Sequence, residues 1–187
     1  MEWFGLEHGI LYGLERARND SATSRIILLT FLGQWQFVIA MATILAIPLL
    51  RIKNPNGPAA AKGLVLSIVL CIGITELTKR IVSRERPDIV STAGNYIKPE
   101  SASFPSGHAS CSMAFALALL LAMKRIQTPF KWQLLAWPLL VGFGIGIGIT
   151  RLYLGVHWPT DIIAGWALGA ACALGAFFLT ETRETTF

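Results

Sequence analysis

The chain has 187 residues, of which 53% are hydrophobic and only 14% charged, and its net charge is +5 at pH 7. A soluble domain carries about 25% charged residues. The deficit excludes a disordered chain, a coiled coil, a disulfide miniprotein and a basic nucleic-acid-binding domain, which leaves an integral membrane protein.

Met1–Arg18 places Trp3, Leu6, Ile10 and Leu14 near one helical face, with Glu2, Glu7, Glu15, Arg16 and Arg18 mostly elsewhere. This predicts an interfacial amphipathic helix within residues 1–25, with His8 also at the interface. Without the basic start and apolar core of a secretory signal, the segment reads as uncleaved. A short sixth span here is the lesser alternative.

Ile26–Leu50 has no charge over 25 residues, about 37 Å of helix against a hydrocarbon core of about 30 Å. Gly63–Thr78 is the weakest span, interrupted by Glu76 and flanked by Lys62 and Lys79. Ser101–Met123, Trp132–Thr150 and Ile162–Thr180 bring the count to five. The expected fold class is therefore all-α: an integral membrane helical bundle of five or six transmembrane helices with an N-terminal amphipathic helix. One domain is expected over 1–187, with its bundle at 26–180.

Cys71, Cys111 and Cys172 sit inside apolar spans without paired spacing, which reads as core packing and not as a disulfide or zinc site. Gly142, Gly144, Gly146 and Gly148 repeat a small-x3-small spacing that permits close helix packing. Glu76 stands three residues before Lys79 and four before Arg80, and is expected to form an i, i+4 ion pair at the membrane edge.

Five spans alternate the connections between two sides, and the polar residues collect on one of them. Lys79–Pro87 reads K-R-I-V-S-R-E-R-P, which places Lys79 and Arg86 two helical turns apart on one face, with the helix expected to end at Arg86 because of Pro87. Pro105-Ser106-Gly107-His108 follows, with Pro105 suited to the first helical position. The amides of Ser106, Gly107 and His108 would then be open to an anion, and His108 placed to donate a proton. The third segment holds Arg151, His157 and Asp161. From the first turn of the fifth span, Asp161 reaches back four residues to fix the His157 tautomer, while Arg151 offers a bidentate phosphate contact.

Two histidines, an aspartate, three cations and a helix N-terminus on one side fit phosphoryl transfer. No acidic cluster is present there to hold magnesium, so no metal and no cofactor is expected.

The order K-x6-R-P, P-S-G-H and R-x5-H-x3-D resembles the type 2 phosphatidic acid phosphatase family, membrane relatives of the vanadium haloperoxidases. Thr150 stands where that family usually has serine, and keeps the hydroxyl. The resemblance covers residues 79–161 and implies roles for each match. His157 would attack phosphorus and form a phosphohistidine, Asp161 would orient it, and His108 would protonate the leaving oxygen and then activate water. Lys79, Arg86, Ser106, Gly107 and Arg151 would hold the phosphate.

It also implies a membrane lipid phosphate as substrate: undecaprenyl diphosphate, phosphatidylglycerophosphate, phosphatidic acid or lipid A. The phospholipid bilayer, and no nucleic acid, is then the partner. Lys and Arg counts outside the phosphate-binding residues are seven and six on the two sides and do not orient the chain. The resemblance implies a bacterial cytoplasmic membrane with the site facing outward. Asp88–Ser103, polar with Gly94 and Pro99, would shape access to the site. The competing readings are a vanadate-type haloperoxidase and a non-catalytic transporter using Glu76 and the glycine-rich span.

Overall fold

The computed structural model describes residues 2–88 and 99–181. Expectations for the side chains of Glu2 and Trp3, for residues 89–98 and for the tail beyond 181 lie outside the described parts. Seven helices follow one another among the described residues: α1 (Glu2–Arg16), α2 (Asp20–Phe31), α3 (Trp35–Leu50), α4 (Asn56–Val82), α5 (Gly107–Arg125), α6 (Phe130–Tyr153) and α7 (Pro159–Leu179). The fold is all-α. Helices α4, α5, α6 and α7 are each long and apolar enough to cross a membrane, and the bent pair α2–α3 passes the same test only when its two helices are counted as one broken span, so the described residues hold four to five candidate spans.

The bend is the first departure from the sequence reading. Ile26–Leu50 is not one helix: α2 and α3 meet at 49°. Residues Leu32, Gly33 and Gln34 turn through short-range bonds to the carbonyls of Leu29, Thr30 and Phe31. Gly33 lies against the Ile147 side chain of α6, and a β-carbon there would collide with it. Gln34, Trp35 and Gln36, at the break, line a cavity together with Lys79, Arg86 and His157.

Helix α5 is the centre of the bundle. Its Ala109, Cys111, Ala114, Ala116, Ala118 and Ala122 are buried, and small side chains let α4, α6 and α7 close around it. Val38, Ala42 and Ala46 of α3, Leu64 and Ile68 of α4, and Ala173 and Phe177 of α7 complete the core. Leu28, Phe37, Ile44, Leu77, Leu139 and Phe178 form an exposed apolar exterior, the surface a bilayer requires. All three cysteines are free and buried in this core.

The glycine stripe of α6 packs along only one of its edges. Gly144 lies against Met113 and Gly148 against Trp166 and Ile162, whereas Gly142 and Gly146 face open space. The tighter approach involves Gly165 and Gly169 of α7, which the sequence reading did not single out. A β-carbon on Gly165 would stand 2.9 Å from the Ser106 carbonyl oxygen, and one on Gly169 2.8 Å from the Ala114 amide and closer still to the Ser110 carbonyl. These obstacles are backbone atoms, so the helices themselves must separate. Gly169→Ala is expected to cost about 1–3 kcal/mol of stability, as other overpacking changes do. Thermal melting in detergent checks this, with Gly146→Ala as the unaffected control.

Helix α1 also differs from expectation. Leu6 and Ile10 are exposed, as an interfacial face demands, but Glu7 and Leu11 are buried, at 5% and 0% exposure. Leu11 packs on Trp158, and the His8 ring lies 4.8 Å from the Trp158 ring. The i, i+4 spacing of Glu7 and Leu11 makes them the inward stripe of the helix, so a carboxylate expected on the solvated face faces the protein.

Candidate active site

The first segment of the site begins where α4 stops. Ser83 takes the left-handed conformation at φ 47°, its amide bonded to the Lys79 carbonyl at 2.9 Å. The helix therefore ends at Val82, four residues earlier than Pro87 alone predicts, and Arg86 lies beyond it. Lys79 and Arg86 do not share a helical face. They converge because the chain turns back: Arg86 Nε donates to the Ser101 carbonyl (2.8 Å) and its Nη1 to the Val156 carbonyl (2.7 Å).

The second segment starts α5 at Gly107, with Ser106 as its N-cap and Pro105 before the helix. Ser106 Oγ accepts from the Ala109 amide and the Ser106 amide donates to the Asp161 carbonyl at 3.0 Å. Ser106 is fully buried and does not line the cavity, while Gly107 and His108 do. Its amide, expected to be open to an anion, is engaged by the Asp161 carbonyl, and its hydroxyl caps α5. The buried Nε2 of His108 has no hydrogen-bond partner among the described residues.

The third segment turns on Gly155, at φ 69°, a conformation glycine adopts without strain. That turn, closed by Gly155 on the Leu152 carbonyl and Val156 on the Arg151 carbonyl, brings His157 back over the end of α6. Arg151 is completely buried and donates through Nη1 to Thr30 Oγ1 at 3.0 Å. Asp161, also completely buried, accepts on Oδ2 from the Trp158 amide (2.9 Å), from Ser103 Oγ and from His157 Nδ1 (3.4 Å). Its Oδ1 accepts from Arg84 Nη1 at 2.7 Å.

His157 is therefore held at both nitrogens. Nδ1 faces Asp161 and Ser103, and Nε2 faces Arg86 Nη1 at 3.1 Å. Because a guanidinium only donates, Nε2 must carry the lone pair and Nδ1 the proton. The accepting nitrogen points into a cavity of about 260 Å³ also lined by Lys79, Arg86, Gly107, His108 and Arg151. Glu76 lines the same cavity and pairs with Lys79 at 3.5 Å, at the i, i+3 spacing and not the expected i, i+4. No group of three or more His, Cys, Asp or Glu among the described residues is arranged to hold a metal.

His157 lies in the connection between α6 and α7. Burial pushes its imidazole down to about 3; the Asp161 hydrogen bond opposes this and the Arg86 and Arg151 guanidiniums add to it. The unfolded imidazole titrates near about 6.5, so between those values the unfolded chain binds a proton that the folded chain does not. Stability therefore falls as pH drops from 7 to 5. His157→Gln is expected to flatten that fall, measured as the change in melting midpoint between the two pH values. Equal slopes in both proteins would contradict the neutral, buried imidazole.

Sequence reasoning missed Ser103, Arg84, Glu7, Thr30 and Ser101. Arg84 lies inside the basic segment Lys79–Pro87. Once the helix ends at Val82, Arg84 and Arg86 stand two apart in extended chain and point to the same side. Ser103, Thr30 and Ser101 carry no signal in sequence, since a serine or threonine beside an apolar run has no preferred partner until the fold supplies one.

The fold is a bundle of helices apolar enough to cross a membrane, with a cavity lined by Lys79, Arg86, Arg151, His108 and His157, which defines a polytopic membrane protein with a buried polar site. Residues 60–184 match the PAP2 superfamily, and the chain belongs to that superfamily. The undecaprenyl-diphosphatase of Sulfolobus acidocaldarius is 38% identical over 127 residues, covering 66% of this chain and 54% of that protein. YbjG of Escherichia coli K12 is 30% identical over 173 residues, covering 89% of this chain and 79% of its own. The crystal structure of a transmembrane PAP2-type phosphatidylglycerolphosphate phosphatase from Bacillus subtilis superposes with a TM-score of 0.82 at 20% identity, over 98% of this chain and 88% of that one, which shows the shared fold. The chain spans about half the length of several curated relatives it matches.

Proposed function

We propose that this chain is a metal-independent lipid phosphate phosphatase working through a phosphohistidine. The observation that carries the reading is the His157 imidazole, fixed by Asp161 on Nδ1 and presenting Nε2 to a cavity lined by three cations and by the partnerless His108 Nε2.

His157 Nε2 attacks phosphorus as the bond from phosphorus to the lipid oxygen breaks, and His108 gives that oxygen its proton. Water then attacks the phosphohistidine, passing a proton to His108; the phosphorus–nitrogen bond breaks and inorganic phosphate leaves. Lys79, Arg86 and Arg151 stabilise the charge on the phosphoryl oxygens, with the Gly107 amide at the α5 N-terminus beside them. Ser106 supports that terminus as its cap. Glu76, the carboxylate on the cavity wall, is already paired with Lys79, which leaves the cations to do the work a magnesium ion does elsewhere.

The cavity opens at one end of apolar helices, which suits a substrate whose headgroup sits at the interface while its tails stay in the bilayer. The names of the relatives place undecaprenyl diphosphate and phosphatidylglycerophosphate in the panel to be tested, with phosphatidic acid and lipid A. The whole chain acts as one unit in a bacterial cytoplasmic membrane with the cavity outward. Cysteines introduced at Glu100 and at Gln127 report this: in intact cells, labelling at Gln127 alone would reverse the orientation.

The deciding measurement is phosphate release by detergent-purified protein on that lipid panel, with and without EDTA. Release that survives EDTA supports the metal-free reading, and the ranking of lipids names the substrate. Loss of all release in EDTA, restored by magnesium, would overturn it.

A further inference from the structure

Glu7 of α1 is a buried carboxylate outside all three sequence motifs. Its Oε1 accepts from the Thr160 amide (3.1 Å) and the Thr160 hydroxyl (2.6 Å), and its Oε2 accepts from Arg84 Nη2 at 2.7 Å. Arg84 uses its other terminal nitrogen, Nη1, on Asp161 Oδ1 (2.7 Å) and on Thr160 Oγ1 (2.6 Å). The Arg84 guanidinium also lies 5.3 Å from the centre of the Trp158 ring. The result is a continuous chain of charged contacts from the amphipathic helix to His157: Glu7, Arg84, Asp161, His157.

We propose that Glu7 is a positioning residue, holding Arg84 so that Asp161 keeps His157 aimed into the cavity, and that α1 is thereby part of the catalytic apparatus. The inference rests on the reading of His157 as the nucleophile.

A buried carboxylate is tolerated only when its oxygens are satisfied, and here every partner of Glu7 is a donor on Arg84 or on Thr160, the residue next to Asp161. Arg84 in turn is one fork between two carboxylates. Remove the charge of Glu7, and the whole guanidinium charge falls on Asp161, which becomes a poorer acceptor for His157 Nδ1. Arg84 also gains freedom to swing toward water and release Oδ1. Either change misdirects Nε2, and small misplacements at a reacting atom are costly. Glu7 does not line the cavity, so substrate affinity should be spared.

The test uses the full chain in detergent and the lipid phosphate with the fastest wild-type release. Glu7→Gln is expected to lower kcat about tenfold or more while KM stays within about twofold. Glu7→Asp keeps the charge at shorter reach and should fall between Glu7→Gln and wild type. On an Arg84→Met background, Glu7→Gln should add no further loss, because its effect passes through Arg84.

An unchanged kcat, a loss expressed in KM, or a full additional loss on the Arg84→Met background would each overturn the inference, and so would Glu7→Asp performing no better than Glu7→Gln. Should Glu7→Gln fail to melt cooperatively, Glu7→Asp with a wild-type melting midpoint decides: lowered kcat at constant KM supports the role, and wild-type kcat removes it. An inactive wild type overturns this inference together with the phosphatase reading. An active wild type that His157→Ala silences, beside an unaffected Glu7→Gln, overturns this inference alone.

Discussion

His157→Ala is expected to reduce phosphate release by at least about 10³-fold, the scale on which losing a covalent nucleophile acts. The imidazole is 2% exposed and held by Asp161, Ser103 and Arg86. No other described histidine takes that position: His108 stands across the cavity on α5, and His8 stacks near Trp158 outside it. A water molecule in the vacated space would meet Arg86 but no base oriented by Asp161. The measurement pairs steady-state phosphate release with acid-quenched trapping of a radiolabelled phosphoenzyme, whose label should disappear in the variant. Retention of more than about 5% of the wild-type rate would remove His157 from the nucleophile role. His108→Ala separates the two histidines: it should slow release while letting the phosphoenzyme accumulate with substrates whose leaving group needs no proton.

The second large effect is expected at Asp161. Asp161→Asn changes few atoms, yet it faces four donors at once: the Trp158 amide, Ser103 Oγ, Arg84 Nη1 and His157 Nδ1. A carboxylate accepts from all of them; an amide has one accepting oxygen and brings two donors of its own. Whichever way the amide turns, one donor faces a donor. If its NH₂ meets His157, the ring must move its proton to Nε2, and the nitrogen that should attack becomes protonated. Loss of the correct tautomer costs about 10⁴-fold in kcat in a serine-protease triad. A loss of about 10³–10⁴-fold, with KM little changed, is expected here, where the Asp161–His157 contact is longer than a usual hydrogen bond. Melting in detergent separates this from unfolding. A variant within about tenfold of wild type would mean that Asp161 serves only to cap α7.

Much of the fold was legible because a bilayer imposes a coarse rule. Uncharged runs of about twenty residues must be helical and must cross, and the spans read from charge gaps correspond to α4, α5, α6 and α7 within a few residues at most ends. The exceptions are local. The bend falls at Gly33, and the partner that requires a glycine there, the Ile147 side chain, lies on a helix more than one hundred residues later. Likewise α4 ends at Val82, not at Arg86, and the segment that follows the left-handed Ser83 turns back so that Arg86 reaches Ser101 and Val156.

The motifs themselves determined which residues collect at one end of the bundle. Their types and spacing limit the chemistry: an aspartate four residues after a histidine, and a proline-serine-glycine turn before a helix, are local relations that survive folding. What only the tertiary structure decided is how those residues divide the work. Ser106 turned out to cap α5 and bond the Asp161 carbonyl, Arg84 to bridge two carboxylates, and Glu7 to lie buried in a helix whose pattern suggested a solvated face. Each of these depends on a partner far away in the chain. Hydrophobic periodicity reports how much of a side chain meets lipid, water or protein, but not which polar group it meets; that pairing exists only once the helices have packed.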